Sequence, residues 1–411
     1  MTDVVIVGAG QAGLAASVCL SRLGIDHVVL EKDEIGASWK RQRWDNFCFN
    51  TPNWTLNLPG RDYAGGDPDG FMARDGFIDL LEGYAKDFKV PVRHGVEARG
   101  AAPTDKGWRL ETSAGPLRAR AIIVATSTHQ TPIMPQLAHS LDKSILSISA
   151  ADYRNPGNLP DGKILIVGAA QSGMQITEDL QEAGREIFLS TGKVSRIPRR
   201  YRGHDIIYWY ERIGLMDRRA SELDDPRQIF GGQPQYTGWR GGHTISLQKF
   251  HRDGVRLLSR LDGIDGGALH LAADLRQNIA AADRTSAQIC RNIDSFIERH
   301  GETHPADAGD DPAHDPLDDL ESVPEPRTLN LTEEGIASVI WATGFGFDFS
   351  WIDADIFDGY GYPVTSRGET AAPGLYFMGL NFLHTRRSGI VYGVGPDATH
   401  VAGRIQNYLD G

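Results

Sequence analysis

Apolar positions along the chain fall into short unbroken runs separated by glycine-rich turns and amphipathic stretches, an alternation that predicts an α/β protein. Val4–Val7 is a buried-strand run that breaks into Gly8-x-Gly10-x-x-Gly13. A helical stretch follows from Leu14 to Leu23, and Gly24 ends it. Val28-Val29-Leu30 reads as a second strand, tipped by Glu31. A helix with Asp75 as its N-cap places Phe77, Leu80, Leu81, Tyr84 and Phe88 on one face. Val90–Arg93 is an expected strand, and Trp108–Thr112 with Leu117–Arg120 an expected small meander. Ile122–Thr126 returns as a buried strand with Ser127 just after it.

The opening pattern recurs at Lys163–Val167, with the turn Gly168-Ala169-Ala170-Gln171-Ser172-Gly173, a helix from Met174 to Glu182 and a strand Ile187–Leu189. Gly231-Gly232 and Gly241-Gly242 mark loops, and Val255–Leu258 a strand. Leu275, Ile279, Ala282, Ser286, Ile289, Ile293 and Phe296 recur at alternating steps of four and three. That is one face of a long packing helix, capped by Asp274 and stopped by Gly301. Strands are expected in Ser338–Phe345 and Gly374–Gly379. Gly393–Asp397 opens a C-terminal helix with Pro396 suited to its first turn.

Strand, glycine turn and helix in this order form a dinucleotide fingerprint. Gly8 permits the turn, Gly10 leaves room for a pyrophosphate, and Gly13 lets the helix approach the strand. The helix N-terminus offers unpaired N–H groups to phosphates, and Glu31 can accept from a ribose diol. The second turn differs. Ala170 stands at the second glycine position and narrows the approach, which leaves NADPH against NADH open. Its strand ends in Ser190-Thr191-Gly192-Lys193 without an acid, and Arg196, Arg199, Arg200 and Arg202 follow. Hydroxyls and cations welcome a 2′-phosphate where an acid repels it. A solvated basic loop is the plain alternative. The acid-tipped site suits FAD and the cation-tipped site NADPH.

Composition narrows the rest. A chain of 411 residues exceeds one small core. A net charge of −12 argues against nucleic acid and anionic membranes as partners. No apolar run approaches the roughly 20 residues of a bilayer span. The first strand starts at residue 4, which reads as no signal peptide. Cys19, Cys48 and Cys290 are scattered and no Cys-x-x-Cys exists, so neither a thiol redox pair nor a zinc site is encoded. The expected location is the cytoplasm.

Between Gly36 and Gly60 the chain lacks a clear period yet carries Trp39, Trp44 and Trp54. Such aromatics pack on a flat ligand or form a lid, with a core plug as the alternative. Residues 302–325 hold nine acids, no lysine or arginine and several prolines, as a solvated loop or linker would. His304, His314, Asp310, Asp311 and Asp315 there have no recognisable ligand spacing, so no metal site is expected.

Taken in order, Gly8–Gly13, Gly36–Trp39, Arg43–Asp45, Thr51–Gly60, Gly168–Gly173, Ala342-Thr343-Gly344 and Gly393–Asp397 resemble a class B flavin-dependent monooxygenase of the flavin-containing monooxygenase group. Bacterial CzcO-like flavoproteins are similar, and plant YUCCA-type enzymes more distantly so. The resemblance implies two Rossmann-like domains, the NADP domain inserted into the FAD domain with an added helical and loop segment. Residues 1–150 and 330–411 would form the first. Residues 151–329 would form the second, with a helical insertion at about 270–300. FAD would touch Gly8, Gly10, Gln11, Ala12, Gly13, Glu31, Lys32, Ser38, Trp39, Trp44, Val96, Ala125, Thr126 and Asp397. NADPH would touch Gly168, Gln171, Ser172, Gly173, Ser190, Thr191, Lys193 and Arg196.

The implied reaction is NADPH- and O₂-dependent oxygenation of a small molecule through a C4a-(hydro)peroxyflavin, at nitrogen or sulfur. Asn50 or Asn53, with Trp39, would protect the adduct, and Arg386 or Arg387 would orient an anionic substrate or simply form surface ion pairs. Alternatives are Baeyer–Villiger or decarboxylative oxygenation, and an NADPH-dependent flavin reductase or oxidase. The family's linker motif is altered: Ser149 stands at its histidine position, and Ser127 replaces the glycine of the first Ala-Thr-Gly turn. The missing histidine argues against Baeyer–Villiger chemistry.

Overall fold

The computed structural model describes residues 1–231, 235–306 and 311–411. The helices run α1 Gln11–Arg22, α2 Ala37–Arg41, α3 Arg74–Asp87, α4 Gln171–Glu182, α5 Ile206–Arg212, α6 Leu247–Arg252, α7 Leu275–His300 and α8 Val391–Asp410. Gly232 of the expected Gly231-Gly232 loop and Asp310 lie outside the described residues.

The first sheet is ordered Val92–His94, His27–Glu31, Thr2–Val7, Leu117–Val124, Gly107–Thr112, Ala98–Thr104. Val5 pairs with Val28 on one side and Ile122 on the other, both in parallel. On its edge away from Thr2–Val7, strand Leu117–Val124 serves two neighbours. Its start pairs antiparallel with Gly107–Thr112, and its end pairs parallel with Leu375–Phe377. The expected meander strand and buried return strand are therefore one strand. Val4, Val5 and Ile6 are fully buried, as a strand covered on both faces requires. Small residues in α1 let it lie flat on the sheet, and α8 covers α1 through Ala398, Val401, Ala402 and Ile405.

The second sheet is wholly parallel, ordered Arg256–Leu258, Ile187–Ser190, Lys163–Val167, Ile336–Trp341, Leu146–Ser149. This corrects the boundaries expected at 150 and 330, because Leu146–Ser149 and Ile336–Trp341 hydrogen-bond into the second sheet. Apolar runs of this kind fit either sheet by composition, and only pairing assigns them. The chain crosses between the two units through an antiparallel ribbon, Thr131–Pro132 against Phe345–Gly346.

The long helix α7 forms as its period predicts, with Asp274 and Gly301 at its ends. The Asp274 carboxylate accepts from the Arg260 N–H rather than capping α7. Two other caps differ from expectation. Asp75 lies inside the first turn of α3, after Ala73. Pro396 falls in the second turn of α8, because the helix starts at Val391. The acidic segment is not a free linker: Arg252 donates to the Pro312 and Pro316 carbonyls, Arg276 to the Val323 carbonyl, and Ala313 and Val323 are buried. No helix among the described residues is long and apolar enough to cross a membrane.

The α7 face joins Ile293 to a cluster with Ile206, Trp209 and Tyr210. Ile293→Ala is expected to cost about 2–5 kcal/mol of stability, seen as a lowered Tm in calorimetry.

Candidate active site

Each unit is built on the same backbone contact. Gly8 has φ +106° and a Cβ there would lie 2.6 Å from the Ala125 carbonyl oxygen. Gly168 also has φ +106°, and its Cβ would lie 2.4 Å from the Ala342 carbonyl oxygen. Gly13 and Gly173 press on the carbonyls of Gly8 and Gly168 in turn. Gly10 instead has open space where a Cβ would be, which is the room a pyrophosphate needs. Neither α1 nor α4 has a side-chain cap, so the first N–H groups of both are available to phosphates. Glu31 ends its strand with one carboxylate oxygen accepting from Ala9 N at 2.8 Å and the other from Asp33 N at 3.0 Å. Val96 N donates to the Glu31 carbonyl. Ala12 is buried beneath the turn, and Lys32 and Ser38 are exposed nearby. These residues fit a dinucleotide with a free ribose diol.

At the second strand tip the side chains are arranged differently from expectation. Ser190 Oγ donates to the Ser259 carbonyl at 2.9 Å and Thr191 Oγ1 to the Gly192 carbonyl at 3.0 Å, and both residues are buried. Arg196 is buried, paired with Asp283 and donating to the His314 carbonyl. These three groups are spent inside the fold, because the chain after Ser190 dives under α7. Lys193 is exposed and remains the cation facing solvent at that tip. Arg200 and Arg202 bond to the Gly241 carbonyl and Asp294. Ala170 is exposed at the head of α4 and Ser172 is half-buried.

The aromatic segment bridges the two turns. Trp39 Nε1 donates to Gln11 Oε1 at 3.4 Å, at the head of α1. Its ring stacks on Phe49 at 4.8 Å and meets Phe77 edge-on at 5.1 Å. Trp44 is buried edge-on against Phe47 and is a core plug rather than a lining residue. Trp54 packs edge-on against Tyr392. Arg43 covers Trp39, Phe47 and the Phe345 ring of the crossing ribbon at 5.3, 5.7 and 5.7 Å. Thr126 Oγ1 accepts from Gln130 Nε2.

The two asparagines separate clearly. Asn53 is buried, and its amide donates to the Asp67 carbonyl at 2.9 Å and the Tyr63 hydroxyl at 3.3 Å. It is a structural residue of its own loop. Asn50 lies between the units: Oδ1 accepts from Gln175 Nε2 at 2.9 Å and its main-chain carbonyl from Arg199 Nη1 at 2.7 Å. Its Nδ2 has no hydrogen-bond partner among the described residues. Gln175 was invisible as a site residue in the sequence, and Arg199 entered there only as one of the cations after the second strand tip. The available signal was that Gln175 lies one helical turn beyond Gln171. Arg199 is buried, with Nε on Asp205 at 2.8 Å. Burial pushes the Asp205 carboxyl above its ordinary range, against the pull of Arg199.

Comparison with known proteins agrees with this arrangement. Residues 5–204 match the pyridine nucleotide-disulphide oxidoreductase family. A CzcO-like oxidoreductase of Geobacillus kaustophilus is 30% identical over 99% of both chains. The chain belongs to the CzcO-like oxidoreductases. It is also similar to an indole-3-pyruvate monooxygenase of the YUCCA type from Oryza sativa, at 30% identity over 44% of this chain and 45% of the relative. The fold matches a flavin-containing monooxygenase from Stenotrophomonas maltophilia with TM-score 0.65 at 19% identity, covering all of both chains.

The fold shared with the flavin-containing monooxygenase and the two glycine turns fit FAD and NADPH as cofactors of this CzcO-like oxidoreductase. The remaining candidates take ordinary places. Arg387 pairs with Glu211 and Asp217, and Arg386 lies over the Tyr210 ring at 5.6 Å. Both are thus engaged within the protein. His304 bonds to Glu302 and His314 to Ser286. Ser149 Oγ donates to Asp152 at 2.7 Å. Cys19 and Cys48 are buried free thiols.

In this CzcO-like protein Gly10→Ala is expected to fold but to retain about tenfold less flavin after gel filtration, as a methyl enters the open approach. Gly13→Ala, whose Cβ would lie 1.9 Å from the Gly8 carbonyl oxygen, is expected to yield no soluble flavoprotein.

Asp397 is buried in α8, with one oxygen 3.5 Å from Arg367 Nε and the other without a hydrogen-bond partner among the described residues. Burial pushes its carboxyl above the ordinary range. The folded state then holds a proton that the unfolded chain releases, so stability falls as pH rises from the ordinary carboxylate value to the raised one. Asp397→Asn removes that loss. Its Tm advantage over the wild type is expected to open across this interval and stay level above it.

Proposed function

We propose that this CzcO-like oxidoreductase is an NADPH- and O₂-dependent flavoprotein monooxygenase that oxygenates a small molecule at nitrogen or sulfur. The observation that carries the reading is the bridge between the two dinucleotide turns. It runs from Gln11 through Trp39, Phe49 and Asn50 to Gln175 on α4. It supplies aromatic surface on one side and a free amide donor on the other.

When bound, the two cofactors supply a hydride and the activation of oxygen. The chain's residues bind and protect. Glu31 takes the ribose hydroxyls of FAD, the heads of α1 and α4 take the two pyrophosphates, and Lys193 meets the 2′-phosphate. Trp39, Phe47, Phe49 and Phe77 exclude water from one wall. Asn50 Nδ2 donates a hydrogen bond at the seam, the kind of pre-oriented donor that stabilises developing charge. No acid–base pair is needed for transfer of oxygen to a soft nucleophile. Disulfide reduction finds no support, since no two of the cysteines are adjacent in a Cys-x-x-Cys.

The test uses the FAD-loaded enzyme, NADPH and ¹⁸O₂ with a panel of amines, thioethers and ketones. Incorporation of one labelled oxygen at nitrogen or sulfur is the expected result. Labelled ester from a ketone would move the enzyme to Baeyer–Villiger chemistry, and stoichiometric hydrogen peroxide with every compound would make it an oxidase. Asn50→Ala is expected to raise the peroxide released per NADPH on the order of tenfold, the worth of one hydrogen bond.

A further inference from the structure

We propose that Gln175 and Arg199 are positioning residues for Asn50, so that the second dinucleotide unit sets the orientation of the amide in the seam. The inference rests on the reading of Asn50 as the donor. A primary amide has one acceptor oxygen and one NH₂ group. Gln175 Nε2 holds the Asn50 oxygen at 2.9 Å, which turns Nδ2 the other way. Arg199 Nη1 holds the Asn50 main-chain carbonyl at 2.7 Å, so the backbone beneath the amide is fixed from the same unit.

Both holders are themselves immobilised. Gln175 is 5% exposed and Arg199 is 1% exposed. The Arg199 guanidinium bonds to Asp205, and the Arg199 N–H donates to Thr244 Oγ1 at 2.7 Å. Its plane lies over Phe71 at 4.2 Å and Tyr236 at 5.1 Å. The Tyr236 carbonyl accepts from the Gln171 side chain, at the head of α4. Gly238, two residues on, presses on the Phe49 carbonyl, where a Cβ would lie 1.9 Å from the oxygen.

The contacts close into a ring: Gln171, Tyr236, Arg199, Asn50, Gln175 and back to Gln171 along one turn of α4. The head of α4 is where the second pyrophosphate binds. A shift there moves Gln171 and Gln175 together, and both ends of the ring reach Asn50. The ring thus connects nicotinamide dinucleotide binding to the amide by packed, hydrogen-bonded groups.

The experiment compares Asn50→Ala, Gln175→Met, the double variant and Arg199→Lys in the FAD-loaded enzyme. One readout is the hydrogen peroxide released per NADPH oxidised. The other, free of turnover, is the change in flavin visible absorption on adding NADP⁺. Gln175→Met keeps the volume and removes the donor. It is expected to raise peroxide release about as much as Asn50→Ala, on the order of tenfold, and to lose the NADP⁺-induced spectral change. The double variant is expected to be no worse than Asn50→Ala, because both changes remove one interaction. Arg199→Lys keeps a charge for Asp205 and is expected to fall between. A Gln175→Met protein that behaves as wild type, or additive effects in the double variant, overturns the positioning role and leaves the donor reading standing. An Asn50→Ala protein with wild-type peroxide release overturns the donor reading, and the inference with it. Should Arg199→Lys fail to fold, Gln175→Met decides alone.

Discussion

A glycine pressed against a neighbouring strand's last carbonyl organises each half of this molecule. Gly8 meets Ala125 and Gly168 meets Ala342, both with a backbone conformation that favours glycine and no room for a side chain. The contact draws the strand end, the turn and the helix head to one point. It fixes where the uncapped N–H groups appear at the heads of α1 and α4. The acid at the tip of His27–Glu31 and the hydroxyls and cation at the tip of Ile187–Ser190 are placed by the same geometry one strand over.

The same contact explains the division of the chain. The Ala342-Thr343-Gly344 turn closes the second unit on Gly168 just as Ala125-Thr126-Ser127 closes the first on Gly8. Strand Ile336–Trp341 therefore pairs with Lys163–Val167, and the chain returns to the first unit only at Phe345–Gly346. Two short ribbon strands and a broad polar seam connect the units. Asn46 bonds to Asp179 across that seam at 2.8 Å, sharing the carboxylate with Tyr153 of the second unit at 2.5 Å, and Asn155 bonds to Asp45 across it at 2.7 Å. Such directional contacts orient the units more specifically than apolar packing alone.

The seam is also where chemistry collects. Burial makes a single unpaired donor or acceptor costly, and most groups between the units are paired, with Arg199 Nη2 buried and without a partner among the described residues. Against that background the free amide of Asn50 stands out. The arginine-rich stretch after Lys193 carries the contrast furthest. It resembles a phosphate-binding loop in composition, yet Arg196 and Arg199 face inward, to Asp283 and Asp205. Their charge serves the fold and the seam, because Asp283, distant in sequence, reaches Arg196 first and Asp205, six residues on, reaches Arg199.

Local order was legible from the residues alone wherever a repeat shorter than a helical turn or a sheet pleat carried it. The two glycine turns, the acid at Glu31, the face of α7 and its end at Gly301 all follow from spacing and backbone sterics, which act between near neighbours. The tertiary structure decided the rest. It chose which sheet two apolar strands joined, which of two asparagines kept a free amide, which arginines were spent, and which tryptophan filled the core. Each of those choices depends on a partner far along the chain, such as Gln175 for Asn50 or Asp283 for Arg196, and no local pattern encodes a partner that only folding brings within hydrogen-bonding distance.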